Sequence, residues 1–69
     1  MDISKKIKLA AKYANISEAE LARRIGTSSQ AFGQRLKTGK FSSEDLDKIA
    51  FALGANYTFE FSFPDGTKI

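Results

Sequence analysis

The chain contains no cysteine and no histidine. Without cysteine, neither a disulfide nor a thiolate metal site can staple the fold; without histidine as well, the common zinc sites and nucleophile–histidine catalytic arrangements are excluded. No apolar run approaches the roughly 18 residues of a membrane span, and the opening MDISKK lacks the apolar region of a signal peptide. An intracellular, cytoplasmic protein is therefore expected. No phosphate-cradling loop of the form G-x-x-x-x-G-K-S/T is present, and GTKI at 66–69 is too short to form part of a nucleotide site. Glu18 and Glu20 are accounted for by helix-start electrostatics. Nothing here supports an enzyme, a metal or another cofactor, and no small-molecule ligand is evident.

Size is also in short supply. A 69-residue chain makes one small domain and buries only about 60% of its unfolded surface, so association is the expected supplement. Charge is unevenly placed. Residues 1–40 carry nine Lys and Arg against Asp2, Glu18 and Glu20, a balance of +6, while residues 41–69 carry two against five, a balance of −3. A basic half beside an acidic one points to a polyanion on one side; the plain alternative is a solvated surface segregated by chance. No repeat, low-complexity tract or linker interrupts the chain.

What is present is organised around Ile16 to Lys40, ISEAELARRIGTSSQAFGQRLKTGK. Ser17 followed by Glu20 reads as a capping box, with Ile16 and Leu21 as its hydrophobic staple. Leu21, Ala22 and Ile25 then face inward, and Gly26 ends the helix in the left-handed conformation. A second helix starts at once, capped by Thr27 or Ser28, with Phe32 and Leu36 buried. Gln30, Gly33, Gln34 and Lys37 fall together on its other side at about 100° per residue. Two short helices joined by a tight turn, the second exposing an amide stripe, suit insertion into a DNA major groove.

This stretch resembles the helix-turn-helix of the phage repressor and Cro superfamily, the Xre-like regulators. Ala22 and Gly26 match its small-residue and turn positions, and Phe32 its buried recognition-helix position. The resemblance continues through FSSEDLDKIAFALG, which looks like the fourth helix, and so covers roughly residues 3–54. Two departures stand out. Glu18 occupies a place where the family often has Gln, and the segment from Gly26 to Gly39 reads as one residue longer than in the compact phage repressors. That insertion puts Arg35 where an apolar residue is usual and moves the inward role to Leu36. The resemblance implies a four-helix repressor-like domain, and it places Gln30 and Gln34 where such repressors read bases.

The expected elements are helices at about 3–14, 18–25, 28–37 and 43–53. In the first, Asp2 is the N-cap and Ile3, Ile7, Ala10 and Ala14 form the inward stripe opposite Lys5, Lys8 and Lys12, a lysine row read as solvated in preference to phosphate-bound. Leu9 and Tyr13 form a second apolar strip for the C-terminal strand to cover. In the fourth helix, Phe41, Ser42, Asp45 and Leu46 repeat the staple and cap, Leu46, Ile49, Ala50 and Leu53 face inward, and Gly54 ends the helix. Beyond it YTFEFSF, residues 57–63, alternates with period two and predicts a strand; Pro64, Asp65 and Gly66 make a turn, and residues 67–69 a short return strand. The fold expected is thus mainly α with a short C-terminal β-hairpin.

The function expected is a sequence-specific DNA-binding regulator, a repressor acting as a homodimer on double-stranded DNA. Gln30 and Gln34 are base readers because a Gln amide offers both donor and acceptor to adenine N6 and N7. For Gln30 an alternative is the T-S-S-Q capping box, which folds it back onto the helix start. Ser29 joins the base readers, and Thr27, Ser28, Arg24, Lys37, Lys40 and Arg35 the backbone contacts, with Arg35 also able to reach an acid such as Glu18. Gly33 either lets the helix approach the groove closely or is a tolerated defect. Phe51, Tyr57, Phe59, Phe61 and Phe63 are expected at a dimer interface; the alternative, compatible with it, is that the four strand aromatics Tyr57, Phe59, Phe61 and Phe63 complete the monomer's core against Leu9, Tyr13 and Phe51. The rival reading is a protein-interaction module on the same fold, antitoxin-like or an adaptor, using the aromatic strand.

Overall fold

The computed structural model describes residues 2–69. It is mainly α, with four helices: α1 Ile3–Tyr13, α2 Glu18–Arg24, α3 Ser29–Thr38 and α4 Ser43–Ala52. Every helix start is a side-chain cap. Asp2 accepts from the Lys5 N–H at 2.8 Å, Ser17 from Glu20 at 3.0 Å, Ser28 from Ala31 at 3.1 Å and Ser42 from Asp45 at 3.1 Å. Each bond satisfies one of the orphan amides of a first turn. At Ser42 the box is complete, because the Asp45 carboxylate also accepts from the Ser42 N–H at 2.9 Å.

The box expected at Ser17 is only half made. Glu20 turns away from the Ser17 amide and accepts from Arg23 Nε at 2.9 Å and Arg24 Nε at 2.8 Å. Two guanidinium groups lie within reach at i+3 and i+4, and charge-assisted bonds outcompete one to a neutral amide.

Leu21 and Phe32 are the largest fully enclosed side chains, joined in the core by Ile7, Ala11, Ala22, Leu36 and Ile49. Ile3, Ile16, Ile25, Phe41, Leu46, Ala52 and Leu53 pack around that centre, half-buried. Leu36 faces inward, as expected. In α1, however, the buried row is Ile7 and Ala11, and Ala10 is exposed. Ala10 lines an open groove of about 400 Å³ between α1, α4 and residues 55–58, which no element fills.

The expected C-terminal hairpin does not form. Among the described residues there is no strand, only an isolated antiparallel bridge between Ser62 and Lys68. Around it the chain makes a tight turn. Phe63 N–H donates to Thr67 C=O at 2.7 Å, Phe61 and Ile69 exchange backbone bonds, and the Asp65 carboxylate accepts from Thr67 N–H at 2.9 Å. Two short segments with no third strand and no helix beneath them cannot bury a face, and a ladder does not extend. Neither does the tail cover α1: Tyr13 is 94% exposed and Leu9 is exposed too.

Candidate nucleic-acid interface

The site begins with the turn Ile25–Ser28, between the end of α2 and the start of α3. Gly26 has φ +82°, where a side chain would be strained, and Thr27 N–H donates back to Ala22 C=O at 2.9 Å. The reversal is therefore closed by backbone bonds. Ser28, not Thr27, is the N-cap of α3. That assignment removes the alternative in which Thr27 and Gln30 form a capping box, and Gln30 falls in the first turn with its side chain exposed.

Phe32 and Leu36 anchor α3 in the core, which turns the opposite face outward. Ser29, Gln30, Gln34, Lys37 and Lys40 are all exposed, and Gly33 is half-buried among them. The structure thus brings the amide pair and two lysines together on or beside one helix face. Ser28 is exposed as well, although its hydroxyl oxygen already serves as the cap. Thr27 is half-buried, and its amide is committed within the turn.

Two of the expected phosphate contacts are occupied within the chain. Arg24 bonds Glu20 and also donates from Nη1 to the Ala52 carbonyl at 2.9 Å, tying α2 to the end of α4. Arg35 pairs with Asp45, not Glu18, and its guanidinium lies 5.1 Å from the Phe41 ring centroid. Asp45 faces Arg35 because its own cap fixes it at the start of α4. Arg35 is thereby a link between the last turn of α3 and the first turn of α4.

A further tie gives little sign of itself in the sequence. Ser4 Oγ donates to the Leu36 carbonyl at 2.6 Å, connecting α1 to α3 across 32 residues. The only signal is a serine beside the inward row of an amphipathic helix. Its acceptor lies among the last carbonyls of a helix, which have no intrahelical partner. Gly39, at φ +68°, closes the same end and donates its N–H to Arg35 C=O at 2.9 Å. A serine cap, a polar tie and an ion pair therefore fix α3 at both ends while leaving its outer face uncovered.

Carboxyl electrostatics follow from the same bonds. The Glu20 carboxyl is lowered from 4.5 to about 2, first by the hydrogen bond from Arg23 and then by that from Arg24. Asp45 is lowered by the Ser42 amide and hydroxyl and then by Arg35; Asp65 is lowered by Thr67. All three stay ionised at neutral pH, and two of them, Glu20 and Asp45, are paired with arginines.

The residues expected at a dimer interface are placed elsewhere on the surface. Phe51 is 86% exposed, Phe59 71% and Phe61 70%; Phe63 and Ile69 are exposed with them, and only Tyr57 is half-buried. Tyr57 lies beside Phe59, the rings tilted by 33° with centroids 6.4 Å apart. The alternative in which these aromatics complete the monomer's core is thus corrected: the core closes without them. Among the described residues no helix is long and apolar enough to cross a membrane. Compared with family models, curated proteins and solved structures, the chain finds no match.

Proposed function

We propose that this chain is a helix-turn-helix DNA-binding regulator of the repressor and Cro type, which docks α3 in a major groove and represses by occupying its site. The observation that carries the reading is the outer face of α3: Gln30 and Gln34 lie exposed one turn apart on a helix whose other side is buried and whose start is capped by Ser28. A rigid helix with two amides at that spacing can pair with base edges, and each good bidentate pair discriminates by about 1–3 kcal/mol. Lys37 and Lys40 supply the charge for phosphates, together with backbone groups at the α3 start. Arg24, which ties α2 to α4, and Arg35, which links α3 to α4, are engaged within the chain and drop out of the phosphate set.

A single module of this size binds weakly, and two copies on half-sites about 34 Å apart supply the missing affinity. Phe59, Phe61, Phe63 and Ile69 leave an apolar surface on the tail that a second copy would cover. The same surface also favours the second reading, a protein-interaction module whose partner is a different chain.

The test is the double variant Gln30→Ala, Gln34→Ala, assayed for duplex binding and for thermal melting. The expected result is a loss of specific affinity of roughly 30-fold or more with the melting midpoint unchanged. Unchanged affinity in a folded variant refutes the role of α3 and turns attention to the tail.

A further inference from the structure

Four of the five glycines have a backbone reason to be glycine, since Gly26, Gly39, Gly54 and Gly66 all have positive φ. Gly33 does not. It lies inside α3 with ordinary helical geometry, a setting where glycine is the poorest choice after proline. Crowding within the chain is not the reason either, because a Cβ built on Gly33 meets no atom within 4 Å. The fold would be more stable with alanine there.

Its place on the helix supplies the reason the fold does not. Gly33 follows Gln30 by three residues and precedes Lys37 by four, on the same outward face. We infer that Gly33 is the point of closest approach between α3 and a bound duplex, where the bare helix backbone lies against a base-pair edge in space that a Cβ would fill. This inference rests on the reading of α3 as a groove-binding helix and adds to it the residue that sets how deeply the helix seats. Seating matters for the amides, because hydrogen bonds weaken steeply with lost distance and angle, and bidentate pairing needs both bonds at once. A side chain at Gly33 lifts Gln30 and Gln34 off the bases together, while Lys37 at the rim still reaches phosphate.

The experiment uses the full chain as wild type, Gly33→Ala and Gly33→Leu. Melting midpoints are measured alongside affinity for the duplex that wild type selects from a randomised pool and for a scrambled duplex of equal length. Both variants are expected to melt higher, Gly33→Ala by up to about 4–8 °C. Affinity for the selected duplex should fall at least tenfold in Gly33→Ala and further in Gly33→Leu, with scrambled-duplex binding nearly unchanged. Variants that melt higher yet bind the selected duplex as wild type does overturn the inference and leave the groove reading intact. Lower melting shows that the fold itself needs Gly33, and also overturns it. If wild type selects no duplex, the groove reading fails, and the inference falls with it.

Discussion

Glu20 holds two guanidinium groups at once, and its carboxyl is correspondingly hard to protonate. Because its pKa is lowered on folding, its contribution is fully present above the unfolded value of 4.5 and is lost as pH falls toward about 2. Asp45 and Asp65 shift in the same direction and add to the acid sensitivity. The melting midpoint is therefore expected to decline below about pH 4.5, and Glu20→Gln to decline less steeply across the same range; parallel profiles for the two proteins contradict this assignment. Core residues act on a larger scale. Leu21 and Phe32 are fully enclosed, and truncating either to Ala costs about 2–5 kcal/mol through lost burial and a cavity. A domain of this length is expected to be only about 3–10 kcal/mol stable. Circular dichroism melts of Leu21→Ala or Phe32→Ala should accordingly show a midpoint lowered by about 8 °C or more.

At the scale of elements, α3 is placed by its ends. Ser28 caps its start, while Ser4, Gly39 and the Arg35–Asp45 pair hold its finish. The ion pair is partly exposed, so its direct worth is small. Its value lies in orientation. Arg35→Met should weaken duplex binding while leaving the slope of affinity against salt unchanged, since Arg35 is occupied by Asp45. Lys37→Ala should flatten that slope by about 1, the signature of a lost phosphate contact. Salt titrations in which Arg35→Met flattens the slope instead show that the pair opens and Arg35 reaches DNA. The helices were legible because their ends are local chemistry: Ser17, Ser28, Ser42 and Gly39 each announce a cap or a stop within four residues. What the chain concealed was competition between partners. Glu20 prefers two arginines to the Ser17 amide, Arg35 is claimed by an aspartate ten residues away, and Ser4 finds its acceptor only after α1 has packed on α3.

The whole molecule is elongated, 44 × 23 × 19 Å, with a radius of gyration of 13.2 Å against about 11 Å for a compact chain of this length. The helical part has its own core, drawn entirely from residues between Ile3 and Leu53, and the tail beyond Asn56 contributes nothing to its centre. Period-two alternation in YTFEFSF says nothing about a partner strand, and within one chain the partner amounts to a single bridge at Ser62 and Lys68. A strand is a property of two segments; a helix cap belongs to one. Truncation after Asn56 should keep the helical signal and remove self-association in sedimentation experiments. A shortened chain that still dimerises rules the tail out as the interface.

The most direct test of the central claim is selection from a randomised duplex pool by the intact chain at near-physiological salt, followed by sequencing. The expected result is a palindrome with half-sites one helical turn apart, which requires both base reading by α3 and two-fold assembly. Recovery of no motif, with weak binding that vanishes as salt rises, would contradict it and leave only charge attraction.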